Sequence, residues 1–332
     1  MSLLYCNIKL RWKKSMHLQR LLSSLLLTLF IPVAGAAELK VLTSITPVQL
    51  IASEVLAGVS QPEVLLPPGA SPHQYSLRPS DVRKVKQADL IFWIGPELER
   101  FLEKTLSKTD ATVLSFLEEE EGHQHEGEAA HEEEDEHGSQ HHDSDENLLE
   151  SSKEHDEHDH GGIDPHLWLD PAHALEMAEI IRDAAIKVAP DKQALLEQNY
   201  AEFAAGLLEK DQLIMSQLAP LSDQGFVVFH DAYSRFVKHY NLQQLGAVTI
   251  NPSRKAGAKH LSELREAVIQ SKAVCIFSEP QFSASILKTI ASGTNVRTAE
   301  LDPLGQSITP GKGAYLAFLS DFSQVFKKCL QD

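Results

Sequence analysis

The chain has 332 residues, with 30 Lys+Arg against 47 Asp+Glu, a formal net charge of −17, 16 His and 3 Cys. Residues 118–160 hold 19 acidic residues and one basic residue, Lys153, so the excess charge belongs to one segment and the remainder is near neutral. This excludes a dominant basic nucleic-acid face, and the length excludes a mini-protein and suits about two domains.

Residues 1–36 contain no Asp or Glu. Lys9, Arg11, Lys13, Lys14 and Arg20 precede an apolar run from Leu21 to Val33, and Ala34-Gly35-Ala36 follows. This pattern predicts a signal peptide cleaved after Ala36. Met16 offers a more typical start than Met1. An uncleaved anchor is the alternative, but a run of about 13 residues is short for a bilayer. No Cys follows the run, which argues against a lipid anchor. The expected mature chain is exported and starts near Ala37. It keeps Cys275 and Cys329, an even pair in an oxidising compartment. A bridge between them would pin a C-terminal helix to a strand; the alternative is two buried free thiols.

Along the mature chain, Leu39–Thr43, Glu63–Leu66 and Asp89–Ile94 read as strands. Pro47–Gly58 and Ser80–Ala88 read as helices between them, with Ser80 as an N-cap after Pro79. Asp170-Pro171 opens a helix to about Val188. A second helix runs from Asp191 towards Ala219, with Leu196, Tyr200, Phe203, Leu207, Ile214 and Leu218 at three-to-four spacing. At 1.5 Å per residue it would be about 43 Å long, more than one lobe needs. Strands resume at Phe226–Phe229, Leu245–Ile250, Val274–Phe277 and Val296–Leu301, with helices over Gly257–Ser271 and Ala284–Ser292. The rhythm predicts an α/β fold: two lobes, each with a mostly parallel sheet, joined by a long rigid helix. The expected division is 37–171 for the first lobe, 172–220 for the helical link and 221–332 for the second lobe. The alternative is one large domain with the long helix in its core.

Residues 118–160 read as a solvated, disordered insert, following the strand-like Thr112–Ser115. Nine histidines lie there: His123, His125, His131, His137, His141, His142, His155, His158 and His160. Imidazoles alternating with carboxylates predict auxiliary weak sites for borderline divalent metals.

Outside the insert, three histidines occupy unusual places. His73 ends Pro67-Pro68-Gly69-Ala70-Ser71-Pro72-His73, just after a strand. His230 directly follows Phe226–Phe229. His166 lies in Asp164-Pro165-His166-Leu167-Trp168-Leu169-Asp170, beyond the insert. Ligands of open α/β sheets collect at the carboxyl ends of strands. Asp302 and Glu279 also follow strands, Asp302 being the stronger candidate for a fourth ligand and Glu279 an ion-pair partner for Arg78 or Arg254. Three imidazoles plus water or one carboxylate form a zinc-type set. Since the neutral ring is the ligand, affinity is expected to fall as pH drops through about 6.5. His173, His239 and His260 have helical contexts and are expected at the surface or in packing.

Four stretches carry a resemblance: Gly69–Asp81, His166–Pro171, Phe229–Tyr233 and Leu301–Gly305. The chain resembles the periplasmic metal-binding proteins of ABC transporters for zinc and manganese, and most closely the zinc-uptake branch. The resemblance spans the mature chain. It implies a periplasmic, non-enzymatic monomer that binds Zn2+ between two lobes and passes it to a membrane permease, with no nucleic acid as partner. It implies ligands at His73, His166, His230 and, as in many members, Asp302. A third histidine at 230, the insert and a Cys275–Cys329 disulfide also look like the zinc branch. Pro72 departs from zinc members that carry Glu there, which leaves Asp302 or water as the fourth ligand. The rival readings are a manganese or iron transport protein, a metal buffer or adhesin of the same family, and a secreted zinc hydrolase. No His-Glu-x-x-His supports the last.

Overall fold

Short apolar runs form two four-stranded sheets. The first contains β1 (Val41–Thr43), β2 (Glu63–Val64), β3 (Leu90–Trp93) and β4 (Thr112–Ser115), in the order β2-β1-β3-β4. The second contains β5 (Gly225–His230), β6 (Gln243–Thr249), β7 (Cys275–Ser278) and β8 (Arg297–Glu300), in the equivalent order β6-β5-β7-β8. Every pairing is parallel. This architecture comes from a computed structural model, which describes residues 39–117, 164–249, 252, 257–270, 273–282 and 285–331. The expected leader, 1–36, and the acidic histidine tract, 118–160, lie outside the described residues.

The central strands are apolar on consecutive residues because helices cover both faces. β3 is buried throughout, as is β5. Alternate side chains go to opposite faces. Leu90 and Phe92 enter the central core, while Ile91 and Trp93 join an outer cluster with Leu42, Val85 and Leu102. In the second sheet Phe226, Val228 and Phe277 point inward, and Val227, Phe229 and Ile276 join Leu264 and Leu287 outside.

Two helices link the sheets. Asp170 caps the helix Pro171–Val188, accepting from Ala172 N at 2.9 Å, and Pro171 suits the first helical position. Pro190–Lys192 then forms a 3-10 turn, and the spine helix runs over Gln193–Leu218. Its 26 residues span about 39 Å. The spine therefore starts two residues later than Asp191, because Pro190 cannot donate into a regular first turn and sits at the head of a tighter one. Similarly, the helix Pro79–Gln87 starts at Pro79 rather than after a Ser80 cap. Asp81 reaches back to accept from Arg78 N at 2.8 Å, so Arg78 is the boundary.

The lobes are also clamped by the last helix, Ala314–Gln331. It packs on the spine and on the helix Thr46–Val55. Glu54 accepts from Gly313 N at 2.7 Å and from Tyr315 N at 3.0 Å, so a first-lobe carboxylate caps it. Buried Asn199 of the spine donates to Val55 O and Ala57 O, closing the end of the helix Thr46–Val55. One core runs from Ile51 through Trp168 and Phe203 to Phe226 and Tyr315. Cys275 of β7 and Cys329 of the last helix form a disulfide, with Cα atoms 5.9 Å apart. Among the described residues, no helix is long and apolar enough to cross a membrane.

Candidate metal centre

His230 is the last residue of β5, in register with Thr249 of β6, so the sheet fixes its backbone at the carboxyl edge. His73 lies on the loop after β2. That loop is tied across to the second lobe on both sides of the histidine: Gly69 N donates to Gln306 Oε1 at 2.7 Å, and Gln74 Nε2 donates to Pro252 O at 2.6 Å. His166 precedes the 3-10 turn Leu167–Leu169. The fully buried Trp168 anchors that turn, donating from Nε1 to Pro303 O at 2.7 Å and receiving the Tyr315 hydroxyl on its carbonyl.

The three rings meet. Their centroids lie 4.9 Å apart for His73–His230, 5.0 Å for His166–His230 and 5.7 Å for His73–His166. One nitrogen from each lies within 4.8 Å of the others. Among the described residues, this is the one group of three such donors. They line a cavity of about 20 Å³ with Pro72, Glu279, Gln281, Phe282 and Leu304. That is room for a water-sized or ion-sized guest.

Electrostatics keep the rings ready for a cation. Burial, reinforced by His230 and His166, pushes His73 down to about 2. Burial also lowers His166, although its bond to Asp164 opposes this. Burial thus favours the neutral ring in both, the form a metal needs. The Nε2 atom of His230 is buried with no hydrogen-bond partner among the described residues, which suits a nitrogen that offers its lone pair to a cation.

The two carboxylate candidates differ. Glu279 is buried and lines the cavity, with Oε1 3.6 Å from His230 Nδ1. Arg254 lies outside the described residues. Asp302 does not join the three donors. It accepts from Leu304 N at 3.0 Å, Gln306 N at 2.8 Å and Gln281 Nε2 at 3.1 Å, and so organises the turn after β8. Gly305 in that turn has φ +57°, and a Cβ there would meet Phe318 at 2.5 Å, so glycine is required.

The chain matches the family of the zinc-uptake complex component A, periplasmic, or ZnuA, over residues 41–329. The chain belongs to the ZnuA family. It is 38% identical to the high-affinity zinc uptake system protein ZnuA of Yersinia pestis, over 97% of this chain and 99% of that one. It is 35% identical to the same-named protein of Haemophilus influenzae, over 89% and 94%. Among solved structures it is similar to a ZnuA crystal structure, with a TM-score of 0.68 and 22% identity over 87% and 98% of the two chains. It is equally similar to the periplasmic zinc-binding protein TroA of Treponema pallidum, with a TM-score of 0.68 and 19% identity over 89% and 100%. The last two likenesses establish the fold.

Among the described residues of this ZnuA-family chain, the other histidines have other partners. His239 bridges Asp170 (3.3 Å) and Asp211 of the spine (2.8 Å), which raise it to about 9. His173 pairs with Asp170 at 3.1 Å, and His260 faces Ala247 O at 3.2 Å. The residue that sequence reading leaves without a role is Asp164. Its Oδ1 lies 2.7 Å from His166 Nδ1 and accepts from His166 N at 3.0 Å. An Asp two residues before a candidate ligand, with Pro between, was the available signal.

Proposed function

We propose that this chain is the periplasmic zinc-binding component of an ABC transporter, capturing Zn2+ between its lobes and handing it to a membrane permease. The meeting of three imidazoles, two of them buried, around an ion-sized cavity is the observation that carries the reading. His73, His166 and His230 are the ligands. Neutral nitrogen donors suit zinc better than manganese, which prefers oxygen. Water fills the fourth position of the tetrahedron. Asp302 reaches it only by releasing Leu304 N and Gln306 N. Residues 37–171 and 221–332 act as the two lobes and 172–220 as their link.

The protein acts as a monomer, after loss of residues 1–36, and performs no catalysis. The cavity's size supports this over a hydrolase, since a hydrolysed substrate needs space beside the metal. The nine histidines of 118–160 collect further zinc weakly.

Metal analysis and competition titration test the reading. Purified mature protein should hold one tightly bound zinc, and His230→Ala should weaken it by more than the ~100-fold typical of losing an outer-shell partner. His260→Ala should bind as the parent does. Unchanged affinity in His230→Ala, or manganese outcompeting zinc in the parent, would overturn the assignment.

A further inference from the structure

Asp164 stands between the lobes. Ser234 Oγ donates to its Oδ2, and Arg235 Nη2 and Nε donate to its main-chain carbonyl at 2.6 and 3.0 Å. Arg235 Nε also lies 3.7 Å from Oδ2. Ser234 and Arg235 open the short helix Ser234–His239, four and five residues after His230. The turn that presents one candidate ligand therefore also grips the carboxylate bonded to another. Arg235 extends the grip to His173 Nε2 at 3.1 Å, on the helix that follows His166.

A carboxylate only accepts hydrogen bonds, so His166 Nδ1 must carry the proton and Nε2 the lone pair. We propose that Asp164 is a positioning residue for zinc. Held by Ser234 and Arg235 of the second lobe, it fixes the Nδ1–H tautomer and ring orientation of His166, and so ties the zinc geometry of one lobe to the other. The proposal rests on the zinc reading above. Such outer partners raise ligand basicity and hold the ring, and losing one costs roughly 10–100-fold in metal affinity.

The test uses the full mature chain labelled with 15N at histidine. Long-range 15N–1H spectra of the zinc-free protein should show His166 protonated at Nδ1 in the parent, and a tautomer mixture in Asp164→Ala. Zinc competition should show a 10–100-fold loss in Asp164→Ala. Asp164→Asn keeps an acceptor for Nδ1–H and should recover most of it. A merely structural role would change thermal unfolding without moving the tautomer. If Asp164→Ala does not fold, the parent spectrum and Asp164→Asn decide. A proton on Nε2 in the parent overturns the proposal, as does an unaltered tautomer and affinity in a folded Asp164→Ala. If His166→Ala itself binds zinc as the parent does, the zinc reading fails instead, and the two failures are distinct.

Discussion

In the first sheet, the crevice at the carboxyl ends of β1 and β3 is filled by Glu99, which is fully buried and accepts from Ile94 N at 2.8 Å. In the second sheet, the equivalent crevice between β5 and β7 carries His230 and Glu279 and opens onto the cavity. The strand order is the same, and the crevice is a binding position in such sheets. What differs is the occupant. A carboxylic acid plugs one, while the other presents an imidazole with an unpartnered nitrogen. The first lobe instead offers His73 and His166 from loops, outside its own sheet. Its ligands owe their places to bonds with the other lobe, whereas His230 owes its place to sheet register.

The largest expected effect tests whether the second sheet needs its staple. The disulfide closes 54 residues, and its loss in Cys329→Ser should cost about 4 kcal/mol on chain-entropy grounds. Since one core joins the lobes, hydrogen exchange should show both sheets losing protection together. Loss confined to the second sheet would show that the lobes unfold independently.

The next effect belongs to the plug. Burial pushes Glu99 from 4.5 up to about 7, against hydrogen bonds from the Ile94 and Gly95 amides. Below pH 4.5 the acid is protonated folded and unfolded alike. As pH rises, the unfolded chain ionises first, so stability is lost up to about pH 7, by about 3 kcal/mol in all. Glu99→Gln should abolish that slope. His73 acts with the opposite sign, since the unfolded chain takes up its proton below 6.5 and the folded chain does not until about 2. The difference between parent and Glu99→Gln in urea midpoints from pH 4.5 to 8 isolates the plug. An unchanged difference across that range would show that Glu99 is ionised in the fold.

Much of this was legible in residues. β3 and β5 are apolar runs of the right length, and the parallel rhythm followed from helices between them. The three histidines stood out because each sits at a strand end or beside proline. The long spine showed in Leu196, Phe203, Leu207 and Ile214, but not the clamp by the last helix, because that depends on Glu54 meeting Gly313 N across 259 positions of chain. Asp302 and Glu279 both follow strands, and the sequence sets Glu279 lower only because an arginine could pair with it. Their difference lies in which backbone amides reach them, and periodicity carries no such information. Ser234 and Arg235 have polar, surface-like contexts, so nothing local marks them as partners of Asp164.

The smallest effect probes the loop ligands most directly. Gly69 N donates to Gln306 Oε1, and Gln306 N is itself held by Asp302 Oδ2. The chain of contacts runs from the turn after β8, through Gln306, to the loop bearing His73. Removing the side chain in Gln306→Ala deletes one neutral, exposed hydrogen bond, worth about 1 kcal/mol. Because that bond positions His73 and not His230, the cost should appear in zinc affinity, roughly fivefold, with the unfolding midpoint nearly unchanged. Gln74→Ala, which frees the other side of the loop from Pro252, should act similarly, and the two changes together should exceed either alone. Gln244→Ala breaks a bond to Asp231 beside the sheet-fixed His230 and should leave affinity within a factor of two, since register and not that side chain holds β5. Equal losses in all three variants would mean that loop and strand ligands are held alike, and the contrast between the lobes would fall.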